Sequence, residues 1–278
     1  MTAMRLGYNT NGFAHHRLRD ALEVIAGIGY RAVAITLDVH HLDPFAPGHA
    51  AEQRELAARC RDLDLVPVIE TGARFLLDPR RKHRPNLLAA DPAERAARLE
   101  FLDRAIAAAA ALGAPVVSLW SGAADDAPGA AALDERLAAG LRAVCRRAAD
   151  AGVVVGFEPE PGMYLEDMAG FARIAALVDD PALKLTLDVG HAHLTEAAGA
   201  VATIHAWAPH VVNVHVEGMR RPDHDHLAPW DGDLDVRAAL AALAAVGYAG
   251  PACFELSRHS HDAVRIATRA FAFVTAGA

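Results

Sequence analysis

Four short apolar runs in the second half of the chain each end in a group that can hold a cation or move a proton. Val153–Phe157 runs into Glu158, Leu183–Leu187 into Asp188, Val211–Val214 into His215 and Pro251–Phe254 into Glu255. A carboxylate that ends a buried strand is costly to desolvate unless it meets a partner. Each of the four could cap its own strand instead, but that suits one such residue better than four in succession. One shared divalent ion satisfies all of them at once. An oxygen-rich donor set with one nitrogen suits Mg²⁺ or Mn²⁺, and the imidazole also admits Zn²⁺ or Co²⁺.

Eight apolar runs are available to position these groups: Met4–Tyr8, Arg31–Leu37, Leu65–Ile69, Pro115–Leu119 and the four above. They alternate with helical segments at Leu18–Ile28, His49–Asp62, Pro92–Leu112, Ala131–Ala149, Leu165–Val178, Thr195–Ala208, Asp235–Ala245 and His261–Thr275. Asp91, Pro92 and Glu94 form a helix-start signal of cap, first turn and capping-box partner. Glycine precedes several strands, as at Gly113 and Gly247, where it can end a helix. Strict alternation predicts a parallel sheet with right-handed crossovers. Eight units in 278 residues predict closure into a single (β/α)8 TIM barrel of the α/β class, one domain over 1–278. The alternative, a doubly wound open sheet, lacks a GxGxxG turn after the first strand. In a barrel the strand ends at the carboxyl face carry the chemistry, and neighbouring strands lie about 4.8 Å apart. Glu158, Asp188, His215 and Glu255 then stand on consecutive strands, close enough to converge.

The bulk composition limits the partners. The net charge of −8 argues against a nucleic-acid surface. Three separated cysteines with no CxxC argue against a disulfide framework and fit a reducing, cytoplasmic setting. The start carries no signal-peptide pattern and no window reads as a membrane span.

The motifs FEP at Glu158, LDVGH at Asp188 and His191, NVHVEG at His215 and CFEL at Glu255 resemble the xylose-isomerase-like barrel superfamily. That group includes sugar and sugar-phosphate isomerases and epimerases, inosose-processing enzymes and endonuclease-IV-type DNA repair enzymes. The resemblance to its ketose 3-epimerase branch implies one divalent metal on Glu158, Asp188, His215 and Glu255, with the two glutamates exchanging the substrate proton from opposite faces. It also implies substrate contacts from His191 and from Arg221, six residues after His215. The substrate expected is a small polyhydroxylated carbonyl compound, a sugar, sugar phosphate or cyclitol. A dehydratase of a keto-cyclitol on the same site and an abasic-site endonuclease are the alternatives. Relatives in this group pair or form tetramers, which leaves a homo-oligomer open.

Further pocket candidates are Glu160, Trp120 and Glu70, the last two at the ends of earlier strands. The basic run Arg80–Arg84, with Arg74, follows the third strand and can either cover the mouth and meet an anionic group or be a solvated loop. Asp223-His224-Asp225-His226 is expected to be a polar loop. The order departs from the D-x-H element that holds extra metals in the endonuclease branch.

Overall fold

The eight apolar runs form eight strands in the computed structural model, which describes residues 4–276. They are β1 (Arg5–Asn9), β2 (Ala32–Thr36), β3 (Val66–Glu70), β4 (Val116–Trp120), β5 (Val154–Glu158), β6 (Leu183–Asp188), β7 (Val211–Val216) and, after a hairpin, β10 (Pro251–Phe254). All pair in parallel and close into one barrel in the order β1-β10-β7-β6-β5-β4-β3-β2. The barrel strands average about five residues and read as continuous buried segments, as parallel strands covered by helices must.

Alternation along each strand divides the core in two. Ala32, Ala34, Val68, Val116 and Cys253 form a small cluster distinct from the main core. The opposite positions, such as Val33, Ile35, Val117, Leu119, Val155 and Phe157, belong to the large core shared with the helices. Gly156 is needed for this packing: a Cβ there would lie 2.4 Å from Thr186 Oγ1. Towards the carboxyl ends the packing turns polar, with Thr186 Oγ1 donating to Ser118 Oγ (3.1 Å) and Thr36 Oγ1 to Asn9 Oδ1 (2.8 Å).

The covering helices are α1 (Leu18–Ile28), α2 (His49–Asp62), α3 (Pro92–Leu112), α4 (Ala130–Asp150), α5 (Met168–Val178), α6 (Val189–Thr195), α7 (Gly199–Trp207), α8 (Val236–Ala245) and α9 (Ala263–Thr275). At the start of α3, Asp91 accepts the Ala93 N–H at 2.8 Å with Pro92 in the first turn, as expected. Glu94 does not close a capping box: its carboxylate accepts Arg81 Nη2 at 2.6 Å.

The helix expected over Thr195–Ala208 is shorter, as α7, and a separate helix not expected from the sequence, α6, precedes it and begins directly after Asp188. Gly199 holds φ at +76°, a left-handed conformation that breaks the run. Two more strands, β8 (Gly218–Arg220) and β9 (Asp223–Leu227), form an antiparallel hairpin outside the barrel. The Asp223–His226 stretch is therefore a strand and not the polar loop expected from its composition. The three cysteines are buried and free, and no helix of the described residues is long and apolar enough to cross a membrane.

Candidate active site

Glu158 and Asp188 are the last residues of β5 and β6, His215 is the penultimate residue of β7, and Glu255 follows β10 directly. Barrel register places Asp188 beside His215. One ligand atom from each of the four lies within 4.8 Å of the others. His215 Nδ1 faces Glu158 Oε1 at 2.9 Å, Glu255 Oε2 at 3.1 Å and Asp188 Oδ2 at 3.9 Å. The sequence-expected quartet is thus brought together at the carboxyl mouth.

Asp188 divides its carboxylate between two tasks. Oδ1 accepts the His191 N–H at 2.7 Å and so caps α6. Oδ2 is buried and has no hydrogen-bond partner. A buried unpartnered carboxylate oxygen beside two further carboxylates and an imidazole is a strong demand for positive charge. The donor chemistry, three carboxylates and one nitrogen, fits a divalent ion held by Glu158, Asp188, His215 and Glu255.

The protonation pattern reflects the same crowding. Burial works against a charged His215, yet the carboxylates of Glu158, Glu70 and Glu255 outweigh it and hold the ring's pKa well above the ordinary histidine value. Burial pushes Glu158 up to about 7 against the pull of His215. Glu255 is also buried, but the rings of His215, His226 and His191 keep it well below the usual carboxylate range. Glu160 is raised to about 8, first by burial and then by Glu158 and Glu255.

Two features emerge that sequence order concealed. Glu70, at the end of β3, reaches His215 Nε2 at 2.9 Å and accepts Asn213 Nδ2 at 3.2 Å. It lines the cavity as expected of a substrate contact, but its Oε1 is committed to His215. The β8–β9 hairpin brings His224 and His226 to the same cavity. His191 Nδ1 lies 3.1 Å from the Pro159 carbonyl and His191 Nε2 lies 2.9 Å from His224 Nε2. That network is satisfied when neutral His191 donates from Nδ1 and accepts the His224 N–H, and burial lowers the pKa of both rings. His191, His224 and His226 also present ligand atoms within 4.8 Å of one another, as do Asp188, Glu217 and His226. The signal for His224 and His226 was the alternation D-H-D-H, which puts both imidazoles on one face of a strand.

Arg221 does not join the site. It sits at the hairpin turn, where its Nε donates to the His193 carbonyl at 2.9 Å and Nη2 bonds the same oxygen. That carbonyl lies in the last turn of α6 and lacks a helical partner, which explains why the guanidinium is drawn there. Arg221 is accordingly not among the residues that line the active-site cavity.

Glu158, His215 and Glu255 line a cavity of about 400 Å³ together with Glu70, Trp120 and Glu160, whereas Asp188 and His191 are not among its lining residues. Within the basic segment, Arg74, Lys82 and His83 line this cavity. Arg81 and Arg84 instead pair with acidic residues. A space of this size suits a single sugar-sized molecule.

A family model described as a xylose isomerase-like TIM barrel matches residues 10–276. No curated protein sequence matches the chain. Among solved structures, D-allulose 3-epimerase from Methylomonas sp. is similar at 20% identity and a TM-score of 0.77, with 99% of this chain and 98% of that one covered. L-ribulose 3-epimerase is similar at 22% identity and a TM-score of 0.79, covering 99% and 94%. The probable 3-DHS dehydratase AsbF from Bacillus anthracis is similar at 15% identity and 0.76, covering 98% and 99%. At these identities the likeness is one of fold.

Proposed function

The chain belongs to the xylose isomerase-like TIM barrel family, and from that premise we propose that it is a divalent-metal-dependent isomerase or epimerase of a polyhydroxylated carbonyl compound. The observation that carries this reading is the convergence of Glu158, Asp188, His215 and Glu255 beside a sugar-sized cavity that three of them line, with Asp188 Oδ2 buried and without a hydrogen-bond partner. Glu158, Asp188, His215 and Glu255 would hold the ion. When bound, a divalent ion acts as a Lewis acid and stabilises the oxyanion that forms as a proton leaves the carbon next to a carbonyl.

The chain's own groups do the remainder. Glu158 and Glu255 stand on different strands, β5 and just after β10, so a substrate between them presents opposite faces to the two carboxylates. One takes the proton from the carbon, and the other returns one. Return to the opposite face of the same carbon inverts it; return to the neighbouring carbon moves the carbonyl. His191, fixed through its Nδ1 at Pro159, holds His224 through its Nε2, and His224 and Trp120, which line the cavity, orient the hydroxyl groups and one face of the substrate. Elimination of a hydroxyl next to the carbanion on the same site would give a dehydratase, the activity named for one fold neighbour. The net charge of −8 weighs against the endonuclease alternative.

The test is metal analysis of the purified chain, followed by ¹H/²H exchange in D₂O with a panel of ketoses, inososes and their phosphates. Exchange at one carbon next to the carbonyl, lost in Glu255→Gln, is expected. Full exchange in that variant overturns the proton-transfer role, and a metal-free enzyme with full activity overturns the metal.

A further inference from the structure

The segment between β3 and α3 contains cations of two kinds. Arg81 is engaged by Asp78 and Glu94, each at 2.6 Å, and Arg84 by Asp125 at 3.4 Å. These pairs fasten the segment to the barrel. Arg74 and Lys82 line the cavity, and among the described residues neither has an acidic partner within 4.0 Å.

The fold places these two together deliberately. His83 N–H donates to the Arg74 carbonyl at 2.6 Å, and His83 Nδ1 lies 2.8 Å from the Gly72 carbonyl. The chain between them is closed into a loop, which brings the backbone of Arg74 and of Lys82 to the same end, and both residues line the cavity. The His83 ring stands edge-on to Trp120, with centroids 5.3 Å apart. Ala73 and His83, which flank the two cations, hold φ at +41° and +61° although neither is glycine. Such backbone is disfavoured and persists where surrounding structure imposes it.

A third cation stands behind the same wall. Arg98 is 2% exposed, with its guanidinium 4.9 Å from the Trp120 ring centre and its Nη2 donating to the Thr71 carbonyl. Among the described residues its Nη1 has no hydrogen-bond partner and no carboxylate pairs with it. Burial lowers His83 to about 4, and Lys82, Arg98 and Arg74 add to that lowering, so the ring is neutral within a positive field.

We infer that Arg74 and Lys82 form an anion subsite at the cavity mouth, which takes a phosphate or carboxylate carried by the substrate at the end remote from the reacting carbon. Placement of the reacting carbon rests on the function proposed above. The cavity is polarised: Glu158 and Glu255 at the strand ends, with Glu160, make its floor, and the segment between β3 and α3, beyond the strand ends, brings to its mouth two cations without an acidic partner among the described residues. An anionic group is repelled from the floor and drawn to the mouth, which leaves an uncharged carbonyl end facing the proton-transfer carboxylates. The arginine fork matches either oxyanion, and the lysine adds a point charge. The subsite thereby sets both substrate class and direction of entry.

The experiment is calorimetric titration of the full chain, treated with chelator so that the ion does not compete, with inorganic phosphate, D-fructose 6-phosphate, 5-keto-D-gluconate and D-fructose. At least one anionic ketose is expected to bind about tenfold or more tightly than D-fructose, the scale of charge-assisted hydrogen bonds. The Arg74→Gln/Lys82→Gln double variant, shown to be folded by its circular dichroism, loses that margin and loses phosphate binding. Preference for the phosphate ester alone identifies a sugar phosphate, and preference for the acid alone identifies a sugar acid. Equal affinities, no measurable binding of any anion, or a margin that survives in the double variant overturn the subsite. Absence of proton exchange with the margin intact removes the proposed reaction and leaves the subsite standing.

Discussion

His215 Nε2 lies 2.9 Å from Glu70 Oε1, although β7 and β3, which carry them, stand on opposite sides of the eight-stranded barrel. The contact commits one imidazole nitrogen and leaves Nδ1 facing Glu158, Glu255 and Asp188. Glu70 therefore fixes the ring's orientation and tautomer, as carboxylates behind ligating histidines do. Glu70→Gln is expected to weaken divalent-metal binding by about 10–100-fold, with the fold retained because the amide keeps the shape. Titration calorimetry with Mn²⁺ measures this. Wild-type affinity in the variant would show that the ring needs no such support.

Metal removal should be visible in stability as well. Asp188 Oδ2 has no hydrogen-bond partner among the described residues, and Glu158, Glu255 and His215 crowd around it. A ligand that binds only the folded state at 100-fold over its dissociation constant adds about 2.7 kcal/mol. Chelation is therefore expected to lower the thermal midpoint by several degrees, and Mn²⁺ to restore it. Asp188→Asn keeps an acceptor for the His191 N–H but removes the ligand charge, so its midpoint should respond little to Mn²⁺. Scanning fluorimetry with and without chelator distinguishes these outcomes, and an equal response in wild type and variant would exclude Asp188 as a ligand.

The parts of the site that were legible in the sequence are those set by one strand alone. An apolar run that ends in Glu158, Asp188, His215 or Glu255 announces a group at a strand end, and strict alternation of strands and helices announces the barrel that gathers such ends. The role of Glu70 was not legible, because its partner lies across the closed barrel and closure is a property of all eight strands. His224 and His226 were legible in principle through their alternation with Asp223 and Asp225, but a short hairpin outside the barrel leaves no apolar run to mark it. The position of Arg221 was governed by the unpaired His193 carbonyl in α6, and that helix became evident only once Asp188 was seen to cap it.

Arg221 provides a test of that last point. Its guanidinium bonds the His193 carbonyl, and its backbone N–H approaches the Asp233 carboxylate at 3.3 Å. Arg221→Ala is expected to cost about 1 kcal/mol of stability through the lost cap, with KM for the substrate found in the exchange assay changed less than twofold. Urea unfolding and steady-state kinetics report the two effects separately. A large rise in KM at unchanged stability would mean that the side chain turns into the cavity to meet substrate.

His83 gives the chain a pH signature that does not depend on the metal ligands. Burial, reinforced by Lys82, Arg98 and Arg74, lowers its pKa from the ordinary 6.5 to about 4. Above pH 6.5 the ring is neutral in both folded and unfolded chains, and its contribution to stability is fully present. As pH falls below 6.5 the unfolded chain takes up a proton that the folded chain refuses, so unfolding gains ground; the loss is complete once the folded ring also protonates, near pH 4. Over that window His83 contributes up to one proton to the unfolding reaction, a slope of about 1.4 kcal/mol per pH unit at most. In His83→Gln the amide retains a donor for the Gly72 carbonyl and does not titrate. Urea midpoints measured at intervals between pH 4 and 7 should therefore give a shallower pH dependence in the variant than in the wild type. Equal slopes would show that His83 is protonated in the folded chain at the same pH as in the unfolded one, and that the cations around it exert no field on the ring.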